Sequence, residues 1–183
     1  MKKILLLLIL SACFINCNSD RVYDKKGNEI IDTFNNVPVY LHQGKNTRHK
    51  ASDGYNYGLE WQCVEFVKRY YYDHLNHKMP NTFGHAKSFY NHGLKDGQKN
   101  TARNLTQYSN KSKSQPKVND LVIMGGHTFN KYGHVAIVSK VSDNEVEIVQ
   151  QNVGRMSRAT FKLIHKDGIW EIENDLLLGW LRK

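Results

Sequence analysis

The second half of the chain alternates between short apolar runs and turn residues, and this pattern limits the possible folds most strongly. Turn-forming segments such as Ser142-Asp143-Asn144 and Lys166-Asp167-Gly168 separate the runs. The predicted strands are residues 118–124, 133–141, 146–152, 161–164, 169–172 and 176–181. Short turns of this kind join neighbouring strands in antiparallel hairpins. The sequence therefore predicts an antiparallel sheet in this half.

The first half favours helices instead. Val64, Val67 and Tyr71 share one helical stripe, which predicts a helix over residues 63–77. A second helix is predicted over residues 86–94, where Gly93 would end it. Helices followed by a run of strands are typical of the α+β class. We expect N-terminal helices packed on an antiparallel β-sheet.

The first residues resemble a secretory signal. Met1-Lys2-Lys3 is basic, and Ile4 to Leu10 form an unbroken apolar run of seven residues. Spanning a bilayer takes about 20 apolar residues, so this run is too short. Residues 1–12 are therefore predicted to be a signal peptide.

Cys13 is the predicted site of lipid attachment. Leu10-Ser11-Ala12-Cys13 resembles the lipobox of bacterial lipoproteins, in which small residues precede the modified cysteine. An ordinary signal peptide cut near Ala12 is the alternative, and Cys17 is a weaker lipidation candidate. Residues 13–35 are polar and read as a tether, which leaves 36–183 as one domain. We expect an exported, membrane-anchored lipoprotein that faces the periplasm or cell envelope.

The charge of the chain is strongly basic. Loss of Lys2 and Lys3 with the signal peptide would leave 24 basic and 17 acidic residues, a net charge of +7. Such a balance favours anionic partners such as lipid headgroups and wall polymers. A solvated basic surface without a partner is the alternative. No nucleic-acid motif accompanies the charge, so no nucleic-acid partner is expected.

Cys63 is the one cysteine of the predicted domain, and it lies where a loop turns into a helix. Backbone N–H groups and the helix dipole at such a position favour the thiolate, so we expect a lowered thiol pKa. A nucleophilic cysteine also needs a base, and the base needs a group that orients it.

The hairpin of residues 133–152 offers both of these groups. Side chains of a strand alternate between two faces, so even-numbered residues share one face. If the two even faces coincide, His134 lies near Gln150 and Asn152, while Glu147 points the other way. A turn with an odd number of residues would give this register. Gln150 or Asn152 could then orient the imidazole towards Cys63.

Several motifs together resemble the CHAP family of cysteine, histidine-dependent amidohydrolases and peptidases. The matching segments are Trp61-Gln62-Cys63-Val64-Glu65-Phe66, Pro116-Lys117-Val118-Asn119-Asp120-Leu121-Val122, Gly133-His134-Val135-Ala136-Ile137-Val138, Gln150-Gln151-Asn152 and Leu178-Gly179-Trp180. The resemblance is strongest to amidase domains of the glutathionylspermidine synthetase/amidase type. It implies a papain-like fold with Cys63 as nucleophile and His134 as general base.

The third catalytic position departs from those amidase domains, which carry glutamate where this chain has Gln150. A neutral amide can orient the imidazole but cannot stabilise imidazolium by charge. Gln62 is a candidate donor to an oxyanion, together with the backbone N–H of Cys63. Asn152 is a second candidate binding residue. No metal site and no cofactor are expected.

These predictions describe a cysteine-dependent enzyme that cleaves an amide bond through a thioester. The predicted compartment favours a bond in peptidoglycan peptides. The resemblance favours a glutathionylspermidine-type amide as the alternative substrate. A catalytically silent binding lipoprotein is a third possibility, and an immunity or inhibitor protein as partner is left open.

Overall fold

One α-helix and 13 strands make up the regular structure of the computed structural model, which describes residues 21–183. The strands are β1 Val22–Tyr23, β2 Glu29–Phe34, β3 Val37–Tyr40, β4 Arg48–Lys50, β5 Asn56–Leu59, β6 Gln98–Asn100, β7 Leu105–Ser109, β8 Leu121–Met124, β9 His134–Val141, β10 Glu145–Val149, β11 Arg158–Lys166, β12 Ile169–Ile172 and β13 Leu177–Arg182. The helix α1 is Cys63–Asp73, and Ala86–Phe89 forms a single 3₁₀ turn.

An eight-stranded sheet is the centre of the fold. Its strand order is β12-β11-β10-β9-β8-β13-β7-β6, and every neighbouring pair is antiparallel. Strands β1, β2 and β3 form a second sheet, and β4 pairs with β5 in a hairpin. The predicted α+β class and its antiparallel sheet are therefore confirmed. The predicted plural helices are wrong for the described residues, where α1 is the one α-helix.

The alternation of side chains along β9 divides the core into two clusters. Val135 and Ile137 face α1 and pack with residues such as Phe66. Ala136 and Val138 face the opposite side of the sheet. The even-numbered residues of β9 therefore share one face, as the sequence predicted. The strand is apolar at odd and even positions alike, because side chains pack on both faces of the sheet.

Helix α1 is shorter than the sequence predicted. The apolar stripe suggested a helix to residue 77, but α1 ends at Asp73. Asn76 has a φ of 47°, which a right-handed helix cannot include. The N–H of His77 instead bonds the carbonyl of Tyr71 and closes the helix end.

The second predicted helix, residues 86–94, is wrong beyond its first turn. After the 3₁₀ turn Ala86–Phe89, Tyr90 is extended. The side chain of Gln107 then accepts from the N–H of Asn91 and donates to its carbonyl, at 2.9 Å each. These are the backbone groups that a continuing helix would have used.

The predicted tether over residues 13–35 is wrong for β1 and β2, and the domain boundary at 36 falls inside the β2–β3 turn. The charges that suggested a solvated segment have partners in the domain. Glu29 is buried against Arg155 at 2.8 Å, and Asp32 bonds Arg158 at 2.6 Å. The segment therefore packs on the domain by its ion pairs.

Residues 1–20 lie outside the described part of the chain, and with them the predicted signal peptide and the lipidation site Cys13. Both stay predictions. Between residues 21 and 183, no helix has the length and apolar character to cross a membrane.

Candidate active site

Cys63 is the first residue of α1, and its thiol is free and buried. The preceding Gln62 is extended, so the chain turns sharply into the helix at this residue. Gly58 allows β5 to pass close to the first turn, because a Cβ there would lie 3.3 Å from the backbone nitrogen of Glu65. Gly58 and Cys63 line the same cavity.

The environment of the thiol favours its neutral form. Burial raises the pKa of Cys63, and the backbone N–H groups of Val135, Val64 and Cys63 itself oppose that rise without overcoming it. The lowered pKa that we predicted from the helix N-terminus is therefore wrong. Thiolate formation at this site requires a nearby group that accepts the proton.

His134 is the candidate acceptor, and it begins strand β9. Its Nε2 atom lies 3.0 Å from Oε1 of Gln150, while Nε2 of Gln150 donates to the carbonyl of Met156 at 3.1 Å. Because that donation turns the amide oxygen towards the ring, His134 must donate from Nε2–H. In the neutral ring, Nδ1 then carries a lone pair that can accept a proton.

The glycine before His134 is required by the backbone. Gly133 has a φ of 77°, and a Cβ there would lie 2.4 Å from the carbonyl oxygen of Met124. A side chain at this position would push the start of β9 away from β8. Gly133 thus fixes the position from which His134 enters the cavity.

A β-bulge creates the register that brings His134 to Gln150. Val146 opposes Val141 near the turn, but Ile148 opposes Val138 further along, so Ser139 is left out of the pairing. The even-numbered residues of β9 and β10 therefore lie opposite one another only beyond the bulge. The predicted proximity is correct, but the bulge provides it instead of an odd-numbered turn.

Gln62 and Asn152 also meet at the cavity, as candidates for binding residues. Nδ2 of Asn152 donates to Oε1 of Gln62 at 2.6 Å. This bond leaves the amide nitrogen of Gln62 as its donor end. That nitrogen lies 3.4 Å from Nε2 of His42, a contact that uses one of its two N–H groups at most. Asn152 adopts a φ of 69°, which asparagine tolerates better than most residues.

These residues line one cavity of about 690 Å³. Its walls are formed by residues from segments 46–48, 58–64, 82–86 and 130–134, together with Asn152. Cys63, His134 and Gln62 are all in contact with it. Gln150 lies behind His134 and does not line the cavity. A substrate can therefore reach the thiol and the imidazole from the same side.

Comparison with known proteins agrees with this geometry. The CHAP domain family matches residues 52–152, more than half of the chain, and includes Cys63, His134, Gln150 and Asn152. The chain belongs to the CHAP family. The resemblance seen in its motifs is thus confirmed, and the helix packed on an antiparallel sheet is consistent with the papain-like fold that it implied.

Curated relatives of this CHAP protein are longer enzymes. The chain is 28% identical over 136 residues to a trypanothione synthetase of Crithidia fasciculata, with 68% of this chain and 21% of the relative covered. It is also 28% identical over 138 residues to the bifunctional glutathionylspermidine synthetase/amidase of Escherichia coli K12, with 68% and 22% covered. It therefore spans about a fifth of their length.

Among solved structures, the one described as the crystal structure of Ly7917 aligns with a TM-score of 0.38 and 17% identity. The alignment covers 66% of this chain and 53% of that one.

A buried ionic cluster beneath the CHAP site escaped the sequence analysis. Glu65 is fully buried and accepts hydrogen bonds from Arg69 at 2.6 Å, His49 at 2.8 Å and Gln151 at 2.8 Å. Gln151 also donates to the backbone carbonyl of Gln62 at 3.1 Å. The cluster thus joins the first turn of α1 to the chain beyond β10. A Glu and an Arg four residues apart, set among the apolar residues of α1, were the available signal.

Residues 21–183 contain no group of three or more His, Cys, Asp or Glu side chains arranged to hold a metal ion.

Replacing Gln150 by glutamate is expected to raise the reactivity of Cys63. A carboxylate 3 Å from Nε2 would favour imidazolium, whereas burial now lowers the pKa of His134. We expect alkylation of Cys63 by iodoacetamide near pH 6.5 to speed up by about tenfold, the effect of one pKa unit. In a His134→Ala background the same change should have no effect. An equal acceleration there would show that Gln150 does not act through the imidazole.

Proposed function

We propose that this CHAP protein is a cysteine-dependent amidohydrolase or peptidase that uses Cys63 and His134 to hydrolyse an amide through a thioester. The observation that carries the proposal is the fixed tautomer of His134, which leaves a lone pair on Nδ1 of a ring that lines the same cavity as Cys63. Family membership and the likeness to an amidase-bearing relative support hydrolysis of an amide bond.

In the first step, the proton of Cys63 moves to Nδ1 of His134 as the sulfur attacks the amide carbonyl. Both groups favour their neutral forms before substrate binds, because burial raises the pKa of Cys63 and lowers that of His134. Proton transfer and attack are therefore expected to be coupled. Gln150 accepts from Nε2–H throughout, which holds the ring in place as it becomes cationic.

The oxyanion needs donors at the start of α1. The backbone N–H of Cys63 is one, and the amide nitrogen of Gln62 is the second candidate, since its oxygen is occupied by Asn152. Imidazolium then protonates the leaving amine, and the acyl group stays on sulfur as a thioester. A water molecule that gives its proton to Nδ1 hydrolyses the thioester and restores the thiol.

The proposed substrate is an amide or peptide bond in peptidoglycan. The predicted export of the chain and its positive charge support a target in the cell envelope. A glutathionylspermidine-type amide is the second candidate, and the likeness to the Escherichia coli enzyme is what favours it.

One experiment separates these candidates. The full chain and its Cys63→Ala variant, purified in mild detergent, are incubated with peptidoglycan sacculi and with glutathionylspermidine, and new amines are identified by mass spectrometry. A new amine from sacculi that requires Cys63 supports the envelope substrate and identifies the bond. Release of spermidine alone would assign the second candidate. Failure on both, with a thiol that resists alkylation, would favour a binding protein without catalysis.

Replacing Gln62 by glutamate tests the second oxyanion donor. Glutamate keeps an oxygen for Asn152 but removes the amide N–H, so we expect kcat to fall by about 10²-fold or more. The free energy of unfolding should change little, because the bond from Asn152 is retained. Urea denaturation of the same preparation checks this point. An unchanged kcat would exclude Gln62 as a donor.

A further inference from the structure

The cavity has an uneven charge distribution. No aspartate or glutamate of the described chain lines it, and Arg48 on β4 is the lining residue with a permanent charge. The guanidinium of Arg48 lies 5.4 Å from the ring centroid of Phe83, which also lines the cavity. An arginine stacked on a ring keeps its N–H edge available for a planar acceptor such as a carboxylate.

Two buried cations lie behind the wall formed by residues 82–84. Nζ of Lys68 donates to the carbonyls of Asn56 and Thr82. Arg103 donates to the carbonyl of Asn81 at 2.6 Å and to that of Phe83 at 3.2 Å. Neutral carbonyls accept these hydrogen bonds but do not compensate the positive charges, and the buried Nε of Arg103 has no partner among the described residues.

Carboxylates elsewhere in the described chain do not cancel this charge. No carboxylate of residues 21–183 lies within ion-pair distance of Arg48, Lys68 or Arg103. Glu65 is nearby but is bound to Arg69 and His49.

The three cations influence one another. Burial and then the charges of Arg103 and Arg48 lower the pKa of Lys68 to about 7. Near neutral pH, Lys68 is therefore charged in about half of the molecules, and the positive field along this wall comes mainly from Arg48 and Arg103.

We infer that the cavity recognises an amide substrate that carries a carboxylate, and that Arg48 binds this carboxylate against the wall of residues 82–84. This inference rests on the proposed function and narrows its substrate class to acidic peptide amides. The positive field would stabilise an anion there, because Glu65 acts on Lys68 but no carboxylate of residues 21–183 pairs with Arg48. A leaving group with several ammonium charges would be repelled if it lay beside Arg48 and the wall of residues 82–84.

Two alkylating reagents of the same reactive group test the inference without the natural substrate. In each, the sulfur of Cys63 displaces iodide from carbon, but iodoacetate is an anion and iodoacetamide is neutral. The ratio of their second-order rate constants at Cys63 reports the potential in the cavity. It would be measured on the full chain at low and high salt by intact-mass spectrometry.

Arg48→Gln is expected to lower the iodoacetate-to-iodoacetamide ratio by about threefold or more at low salt, since it removes one nearby charge. Arg48→Lys should keep most of the ratio. Lys50→Gln is the matched control, because Lys50 lies on the same strand with an exposed side chain but does not line the cavity. It changes the net charge equally and should leave the ratio unaltered.

The outcomes separate the inference from the proposed function. A ratio that falls in Arg48→Gln alone supports the inference. An unchanged ratio, or an equal fall in Lys50→Gln, overturns it while the reactive thiol still supports the proposed function. A Cys63 that reacts with neither reagent contradicts the proposed function, and the inference fails with it.

Discussion

Replacing His134 by alanine is expected to lower kcat/KM for amide hydrolysis by about 10⁴-fold, a typical loss for a member of a catalytic triad. Cys63→Ala should cost at least as much. The double variant should have the same kcat/KM as Cys63→Ala alone, because the two residues carry out one proton transfer and neither can perform it without the other. Losses that add would show that they act in separate steps.

The pH dependence of Cys63 alkylation provides the physical test of that coupling. Burial raises the pKa of the thiol, so without His134 its thiolate should form only above the ordinary thiol range. In the wild type, Nδ1 can take the proton, and alkylation should proceed near neutral pH. We therefore expect the rate profile of His134→Ala to move to higher pH.

His92→Ala is the matched control for these measurements. His92 is exposed and does not line the cavity, so both kcat/KM and the alkylation profile should stay at the wild-type level. If the profile of His134→Ala instead overlaid that of the wild type, His134 would not be the base for Cys63.

The sequence predicted this part of the site because the information was local. Cys63 begins an apolar stripe, and the alternation of side chains between the two faces of a strand defines which residues share a face with His134 and Gln150. Which face of β9 lies next to which face of β10 could not be derived in the same way. The bulge at Ser139 changes the register by one residue, and no turn residue in the sequence marks it.

The features that the sequence analysis missed depend on contacts between distant parts of the chain. Strand β2 looked like a polar tether, since the partners of Glu29 and Asp32 are Arg155 and Arg158, more than 120 residues away. The lowered pKa expected for Cys63 failed for a related reason. Local helix position suggested a thiolate, but tertiary packing buried the thiol and reversed the balance.

Replacing Glu65 by glutamine is expected to give the largest loss of stability, about 3–5 kcal/mol, because it leaves Arg69 charged and buried without its counter-ion. Glutamine has nearly the same shape, so the effect would come from charge and not from packing. Thermal unfolding should shift downward by roughly 10 °C for a domain of this size. Circular dichroism on the full chain measures this shift.

The same pair predicts how stability depends on pH. Burial raises the pKa of Glu65, but Arg69, His49 and Gln151 together hold it below its ordinary value of 4.5. A carboxylate with a lowered pKa in the folded state stabilises the fold above its unfolded pKa. That contribution is lost as the pH falls from about 4.5 through the folded pKa. Glu65→Gln should therefore flatten the acid limb of the stability curve.

Two comparisons show whether the ion pair or the glutamate alone is responsible. Glu145→Gln removes an exposed carboxylate on β10 and should change the free energy of unfolding by less than about 0.5 kcal/mol. Adding Arg69→Met to Glu65→Gln should restore part of the loss, because the unpaired buried cation disappears. If the double variant were as unstable as the sum of the two single changes, the Glu65–Arg69 pair would not be the stabilising unit. The loss would then lie in the bonds of Glu65 to Gln151 and His49, which join the first turn of α1 to the chain beyond β10 and to strand β4.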